Sequence, residues 1–309
     1  MSVKHPIVAI AGASGAGTTA VQQAFREIFF RQGINAAFVE GDSFFKYELP
    51  EMCKLMDKYA RTDKPVSCYG PELNDFSALE NLFREYSTQG TGRIRHLVTE
   101  EKASLFDTPV GHFTPWENIA DNADLLFYEG MHGGVVANTW ARRKSDQQVA
   151  HDRRKNSGNE GVNVAQYVDL LIGVVPAINL EWIQKIHNEK HCRKKSIEDA
   201  THTILERLQD YIHYIVPQFS LTDINFQRMP VVDTSNPFIA RDIPTESESV
   251  IVVRFREPAK YNFTHYLDRI NGSFMSRANT LVIPGGAFKH ALDVICAPIL
   301  EACCKSKLR

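Results

Sequence analysis

Short apolar runs alternate with longer amphipathic stretches along this chain. Runs at 7–11, 36–40, 125–128, 168–175, 231–233, 250–255 and 280–283 have strand length and are rich in Val, Ile, Leu and Phe. Between them, apolar residues recur at helical spacing over 17–31, 76–86, 180–191, 197–215 and 288–304. Ser196, followed by Glu198 and Asp199, has the form of a helix N-cap with acids in the first turn. Strands that alternate with helices predict an α/β fold around a mostly parallel sheet. One stretch breaks the rhythm. Residues 140–160 are polar and rich in Arg and Lys, which reads as a charged surface insertion in a single domain spanning 1–309. A contact for a partner or an anionic ligand is the other reading of that stretch.

Composition narrows the class. The 309 residues are 43% hydrophobic and 23% charged, enough for a substantial core, and the net charge is -2. That balance does not point to nucleic acid or an anionic membrane as partner. The six cysteines (Cys53, Cys68, Cys192, Cys296, Cys303 and Cys304) form no CxxC pair, so reduced thiols in a cytoplasmic protein are expected and a zinc site is not. No apolar run reaches bilayer length, and the run at 7–11 is too short for a signal-peptide core.

The chemistry concentrates where predicted strands end. The first runs into Gly12, Ala13, Ser14, Gly15, Ala16, Gly17, Thr18 and Thr19, and a helical segment follows. A glycine-rich turn alone could belong to a dinucleotide site or a plain loop. Strand, G-x-x-x-x-G spacing and helix together point to a phosphate-binding P-loop, in which backbone N–H groups and the helix N-terminus meet phosphate oxygens. Thr19 stands where a hydroxyl normally reaches Mg²⁺, and Thr18 replaces the usual lysine, so a cation must come from elsewhere.

Asp42 follows the second predicted strand in VEGDSF. It is either a turn residue or, beside a P-loop, the acid that orients or deprotonates an acceptor hydroxyl. Glu129 ends the strand in LLFYEGMHGG and has the form of a Walker-B acid for Mg²⁺. His132 reads as a packed histidine. Lys185 and Arg193 lie in a basic helical cluster; they are candidates for phosphate contacts, or simply cations at a solvated helix end.

Taken together, GASGAGTT, VEGDSF, LLFYEGMHGG, VVPAINLEWIQKIH, IVPQFSLTDINFQRMPVVDTSNPFIAR and SFMSRANTLVIPGG resemble the bacterial phosphoribulokinase family over nearly the whole chain. The resemblance implies an adenylate-kinase-like P-loop kinase fold with a mixed, mostly parallel sheet flanked by helices. It implies Mg-ATP as donor, ribulose 5-phosphate as acceptor and ribulose 1,5-bisphosphate as product. Asp42 matches the family's base, Glu129 its metal acid and Lys185 its ATP-contacting lysine, and family members also carry Thr at the Thr18 position. Arg31, Arg254 and Arg277 match arginines linked to allosteric activation by NADH. A homo-oligomer, octameric in related bacterial enzymes, is expected.

The departures lie at the acceptor end. Where the family usually has His-Arg and a later Arg after EGDSF, this chain has Phe45, Lys46 and Leu49; after QKIH, Asn188 and Glu189 replace Arg-Asp. Each charge-assisted phosphate contact is worth roughly 1.5–3 kcal/mol. Lys46, Glu189, Lys190 and Arg193 are the remaining candidates for holding the sugar phosphate. Two alternatives stay open: a kinase for another sugar or nucleoside, and a nucleotide sensor with little turnover.

Overall fold

The computed structural model describes residues 5–12, 18–60, 62, 66–136, 161–193, 196–239 and 242–305, with the side chains of 18–20, 189 and 191–193 outside that set. The charged stretch at 140–160 lies outside it too. Ten strands appear: β1 Ile7–Gly12, β2 Ala36–Glu40, β3 Arg93–Ile94, β4 Glu117–Asn118, β5 Leu125–Gly130, β6 Leu170–Pro176, β7 Ile224–Pro230, β8 Ser249–Phe255, β9 Phe274–Arg277 and β10 Thr280–Pro284. The helices are α1 Thr18–Gln32, α2 Leu49–Tyr59, α3 Phe76–Gln89, α4 Ile178–Arg193, α5 Ile197–Asp210, α6 Phe263–Arg269 and α7 Phe288–Lys305.

Eight strands form one mixed sheet in the order β2-β5-β1-β6-β7-β8-β10-β9. From β2 to β7 every pairing is parallel; β8, β10 and β9 continue it antiparallel. Helices cover both faces of the parallel part, which is why β1 and β6 are buried at every position and read as unbroken apolar runs. Strand alternation splits the core in two. Val8, Ile10, Phe127 and Ile172 face Phe25 and Ile28 of α1 and Leu292 and Ile295 of α7. Ile7, Ala9, Leu126 and Tyr128 face Phe76, Phe83 and Tyr86 of α3. Among the described residues no helix is long and apolar enough to cross a membrane.

Two caps behave as local chemistry requires. Asp75 accepts from Ala78 N at the start of α3, and the anticipated Ser196 cap accepts from Asp199 N at 3.0 Å. The helix expected over 197–215 is cut short. α5 ends at Asp210, and Tyr211–Ile215 widens into a π turn before a 3-10 turn at Val216–Ser220. The strand expected at 231–233 is a correction. Val231 and Val232 are exposed past Pro230, and the real strand, β7, hides in the alternating Ile-Asn-Phe-Gln pattern just before them. β6 starts at Leu170, two residues after its apolar run begins, because Val164–Tyr167 forms a 3-10 turn that Val168 closes.

Two interactions fix the strand ends that matter later. A Cβ on Gly130 would lie 2.7 Å from the Gly41 Cα and 2.7 Å from the Tyr128 hydroxyl, and one on Gly41 would lie 3.0 Å from the Gly130 Cα. The two glycines let the ends of β2 and β5 close over Tyr128. Beyond β5, buried His132 points its Nε2 at the Tyr69 carbonyl, 3.0 Å away. Burial holds the His132 imidazole down at about 4, against an ordinary 6.5, so it is neutral and donates through Nε2–H.

The steric contact makes Gly130→Ala costly: backbone cannot yield as a flexible side chain can, and overpacking of this kind costs about 1–3 kcal/mol. The expected outcome is a Tm lowered by several degrees, while Gly286→Ala, which meets open space, leaves Tm unchanged; equal Tm values would refute the contact. His132 predicts a pH effect. An unfolded chain protonates this histidine near 6.5, the folded chain only near 4. Stability is therefore intact above pH 6.5 and drains as pH falls through that window, at about 1.4 kcal/mol per unit. His132→Gln keeps an N–H donor but cannot titrate, so urea unfolding at pH 7 and pH 5 should show a smaller difference than in the parent. An identical difference would show that another group is responsible.

Candidate active site at the carboxyl ends of the parallel strands

In an open parallel sheet, ligands gather beyond the strands' carboxyl ends. Here β1 runs to Gly12 and α1 starts at Thr18, so the glycine loop joins a central strand to a helix N-terminus, as the spacing predicts. Residues 13–17 and the side chains of Thr18 and Thr19 lie outside the described set.

Beside β1 lies β5, with Ile10 in register with Glu129 and Ala11 with Gly130. Beside β5 lies β2, with Glu40 in register with Glu129. The repeated Glu-Gly of VEGDSF and YEGMHGG thus has one structural meaning: two acids end neighbouring strands, and the glycine after each lets those ends meet. Asp42 follows in a 3-10 turn over Gly41–Phe44, beside the same edge.

The Asp42 turn is held on several sides. Arg95 donates from Nε to the Ser43 carbonyl at 3.0 Å and from Nη2 to the Phe45 carbonyl at 2.8 Å. Its guanidinium lies 3.5 Å from the Phe113 ring centre and 4.8 Å from that of Trp116. Asp75 N donates to the Phe44 carbonyl, and Lys46 N to that of Leu73. Arg95 escapes sequence reasoning because it lies just past a two-residue strand, β3, with no motif around it.

The electrostatics separate the acids. Glu40 is mostly buried, which alone would raise its pKa; the hydrogen bond from Lys102 and the His96 ring 3.8 Å away outweigh that and carry it down to about 2. Asp42 is open to solvent on one side. Desolvation by the surrounding wall and the ionised Glu40 nonetheless raise its carboxyl above the ordinary range, and Lys102 only partly offsets them. A carboxylate made more basic in this way is suited to take a proton from a hydroxyl.

Lys185 projects from α4. Its ammonium is paired with Glu181, one turn earlier and only 3% exposed, and lies 5.4 Å from the Tyr69 ring centre and 5.0 Å from that of Tyr211. Burial pulls the Lys185 pKa down, but the Tyr69 and Glu181 groups outweigh it, so the pKa is raised and the charge kept. Glu181 also accepts from the Tyr211 hydroxyl at 2.8 Å. Lys46 donates to the Pro71 carbonyl at 2.7 Å. Lys190 is exposed, and the Glu189 and Arg193 side chains lie outside the described set.

Phe45 and Leu49 do not face the site as polar ligands. Phe45 is 6% exposed and clusters with Met52, Leu73 and Leu97, and Leu49 packs at the edge of that cluster. The remaining arginines separate into two places. Arg254 and Arg277 flank Thr280 across β8, β10 and β9, and Arg254 donates to the Phe219 carbonyl. Alternation puts them on the sheet face opposite Val253 and α1. Arg31 ends α1, paired with Asp293 of α7, so within one chain it is not brought to the other two.

Among the described residues no three metal-type side chains cluster. Mg²⁺ ordinarily takes one or two carboxylates plus phosphate oxygens and waters, and Glu129 at the end of β5 is a carboxylate of that kind.

The chain is similar to known proteins along its whole length. Over 302 residues the chain is 49% identical to the chromosomal phosphoribulokinase of Cupriavidus necator, covering 97% of this chain and 96% of that one. It is 46% identical to the phosphoribulokinase of Sinorhizobium medicae, covering 100% and 99%. The solved phosphoribulokinase of Rhodobacter spheroides superposes over the full length of both chains with a TM-score of 0.82 and 42% identity. The solved YGR205w protein, 14% identical with a TM-score of 0.51 over 82% of this chain and 91% of its own, shares the fold. The sequence profile described as the phosphoribulokinase / uridine kinase family matches residues 7–235. With its glycine loop, paired strand-end acids and full-length relatives, the chain belongs to the phosphoribulokinase / uridine kinase family.

Proposed function

We propose that this protein is an ATP-dependent kinase that phosphorylates ribulose 5-phosphate to ribulose 1,5-bisphosphate. The observation that carries the reading is that Glu40 and Glu129 end neighbouring strands in register beside β1, the strand that leads to the glycine loop, with Asp42 in the turn just past Glu40. Full-length identity to phosphoribulokinases supports the choice of acceptor.

In the reaction, Asp42 accepts the proton of the acceptor's C1 hydroxyl as its oxygen attacks the γ-phosphorus. The bond from the γ-phosphorus to the β–γ bridging oxygen breaks, and ADP leaves. The backbone of residues 12–17 and the α1 N-terminus cradle the phosphates, and Lys185 brings the cation that the P-loop lacks. Glu129 and Thr19 would hold Mg²⁺, which would offset the negative charge of the transferring phosphate. Lys46, Glu189, Lys190 and Arg193 hold the sugar phosphate.

One observation favours a second reading. Phe45 and Leu49 spend their side chains on an apolar cluster, which supports a kinase whose best acceptor is another sugar or nucleoside. We also propose a single kinase domain with an insertion near 140–160, a homo-oligomeric cytoplasmic protein, and activation by NADH through Arg31, Arg254 and Arg277. Because Arg31 lies apart from the other two, a joint role would have to be completed between subunits.

Purified protein with Mg-ATP should consume ribulose 5-phosphate faster than other sugar phosphates or nucleosides, and faster still with NADH. No turnover of ribulose 5-phosphate at millimolar concentration would overturn the first reading, and a faster alternative acceptor would establish the second. Asp42→Asn should lower kcat by at least about 10²-fold, as loss of a general base does, while ATP affinity is kept. An unchanged kcat would remove Asp42 from the mechanism.

A further inference from the structure

We infer that Glu181 is a positioning residue for phosphoryl transfer, holding Lys185 by one N–H while the Tyr69 hydroxyl takes a second, so that the third is left for the nucleotide, with Tyr211 fixing the carboxylate from another element. The inference rests on the reading of Lys185 as the cation that contacts ATP.

Four observations carry it. First, Glu181 is 3% exposed and is bound to Lys185, its i+4 neighbour on α4. A surface pair at this spacing would be worth little, but a buried carboxylate cannot be left without its cation. Second, the other carboxylate oxygen accepts from the Tyr211 hydroxyl at 2.8 Å, so the carboxylate cannot rotate freely. Tyr211 opens the π turn that ends α5, and the changed pitch there sets where its side chain emerges. Third, the Tyr69 and Tyr211 rings meet edge to face with centres 5.5 Å apart, and the ammonium lies against both. Fourth, Tyr69 belongs to the loop whose carbonyl receives His132, three residues past Glu129. The lysine is therefore tied to the segment that follows the metal acid, through hydrogen bonds and ring contacts.

An ammonium has three N–H donors and no acceptor. Glu181 accepts from one and the Tyr69 hydroxyl from a second, which leaves one for the nucleotide. The ionisable groups around Lys185 are Glu181 on its own helix, Tyr211 on the π turn, and Tyr69 and Cys68 on the preceding loop. Of these, Glu181 is the one with a full negative charge at neutral pH, since burial keeps the Tyr69, Tyr211 and Cys68 protons on.

The experiment compares the full-length protein with Glu181→Gln, Lys185→Met and the double variant, reading two quantities. One is the rate at which Lys185 is acetylated by trace acetic anhydride at pH 8, followed by mass spectrometry. Losing the carboxylate should release a larger fraction of free amine and speed Lys185 acetylation several-fold. The other is kcat. Glu181→Gln should lower it by about tenfold or more when Lys185 is present, and by less than about twofold in the Lys185→Met background, because coupled residues are non-additive.

An acetylation rate unchanged from the parent, or the same loss of kcat in both backgrounds, would show that Glu181 only supports the fold. Lys185→Met with parental kcat would instead refute the nucleotide role of Lys185, whatever the acetylation rate, so the two failures are distinguishable. Should Glu181→Gln not fold, Tyr211→Phe frees one carboxylate oxygen and keeps the charge. It should change the acetylation rate and kcat in the same directions by smaller factors, and parental values for both would overturn the proposal.

Discussion

Parallel strands are set by backbone hydrogen bonding at a nearly constant spacing, but the loops that leave their ends usually diverge. In this protein the exits of β2 and β5 stay together, because Gly41 and Gly130 have no side chains to hold them apart and the Tyr128 ring fills the space beneath. Everything chemical in the site depends on that approach. It sets Glu40, Asp42 and Glu129 along one short edge next to the strand that feeds the glycine loop. Gathering acids so closely is electrostatically unfavourable, and the structure answers with Lys102 and His96 on Glu40. The same crowding leaves Asp42 more basic than an isolated aspartate.

Much of this is legible in the chain. The motif glycines, the strand-end acids and the helical spacing of Lys185 are local signals, and they locate the donor side of the site. What stays hidden depends on contacts between distant segments. Arg95 pins the Asp42 turn from 50 and more residues away, just past a strand too short to leave a pattern. Glu181 reads as an ordinary first-turn acid, and only burial beside Tyr211 reveals its different role. β7 is missed for another reason. Its polar alternates, Asn225 and Gln227, dilute the apolar signal, while Val231 and Val232 beyond it mimic a strand although the pairing with β8 ends with one last bond, from Val231 N to the Glu248 carbonyl.

The sheet divides its labour. The parallel part, covered by helices on both faces, carries the motif residues at its carboxyl ends. The antiparallel strands β8, β10 and β9 lengthen the core, with Val253, Phe255, Leu281 and Ile283 buried against the same layer as α7. On their other face they carry Arg254 and Arg277, away from the nucleotide loop. A chain can thus alter that outer part without disturbing strand ends whose geometry is fixed by two glycines and a tyrosine.

The apolar cluster around Phe45 and Leu49 couples two properties that are usually independent. These side chains join the Asp42 turn to α2, so whatever recognises the acceptor here is built on the fold's own cohesion. A cation introduced at either position to grip a phosphate would have to give up part of that cohesion, since a buried charge costs several kcal/mol without a partner. A charged side chain at Phe45 or Leu49 therefore needs α2 to be repacked as well, whereas one apolar residue can replace another there in a single step.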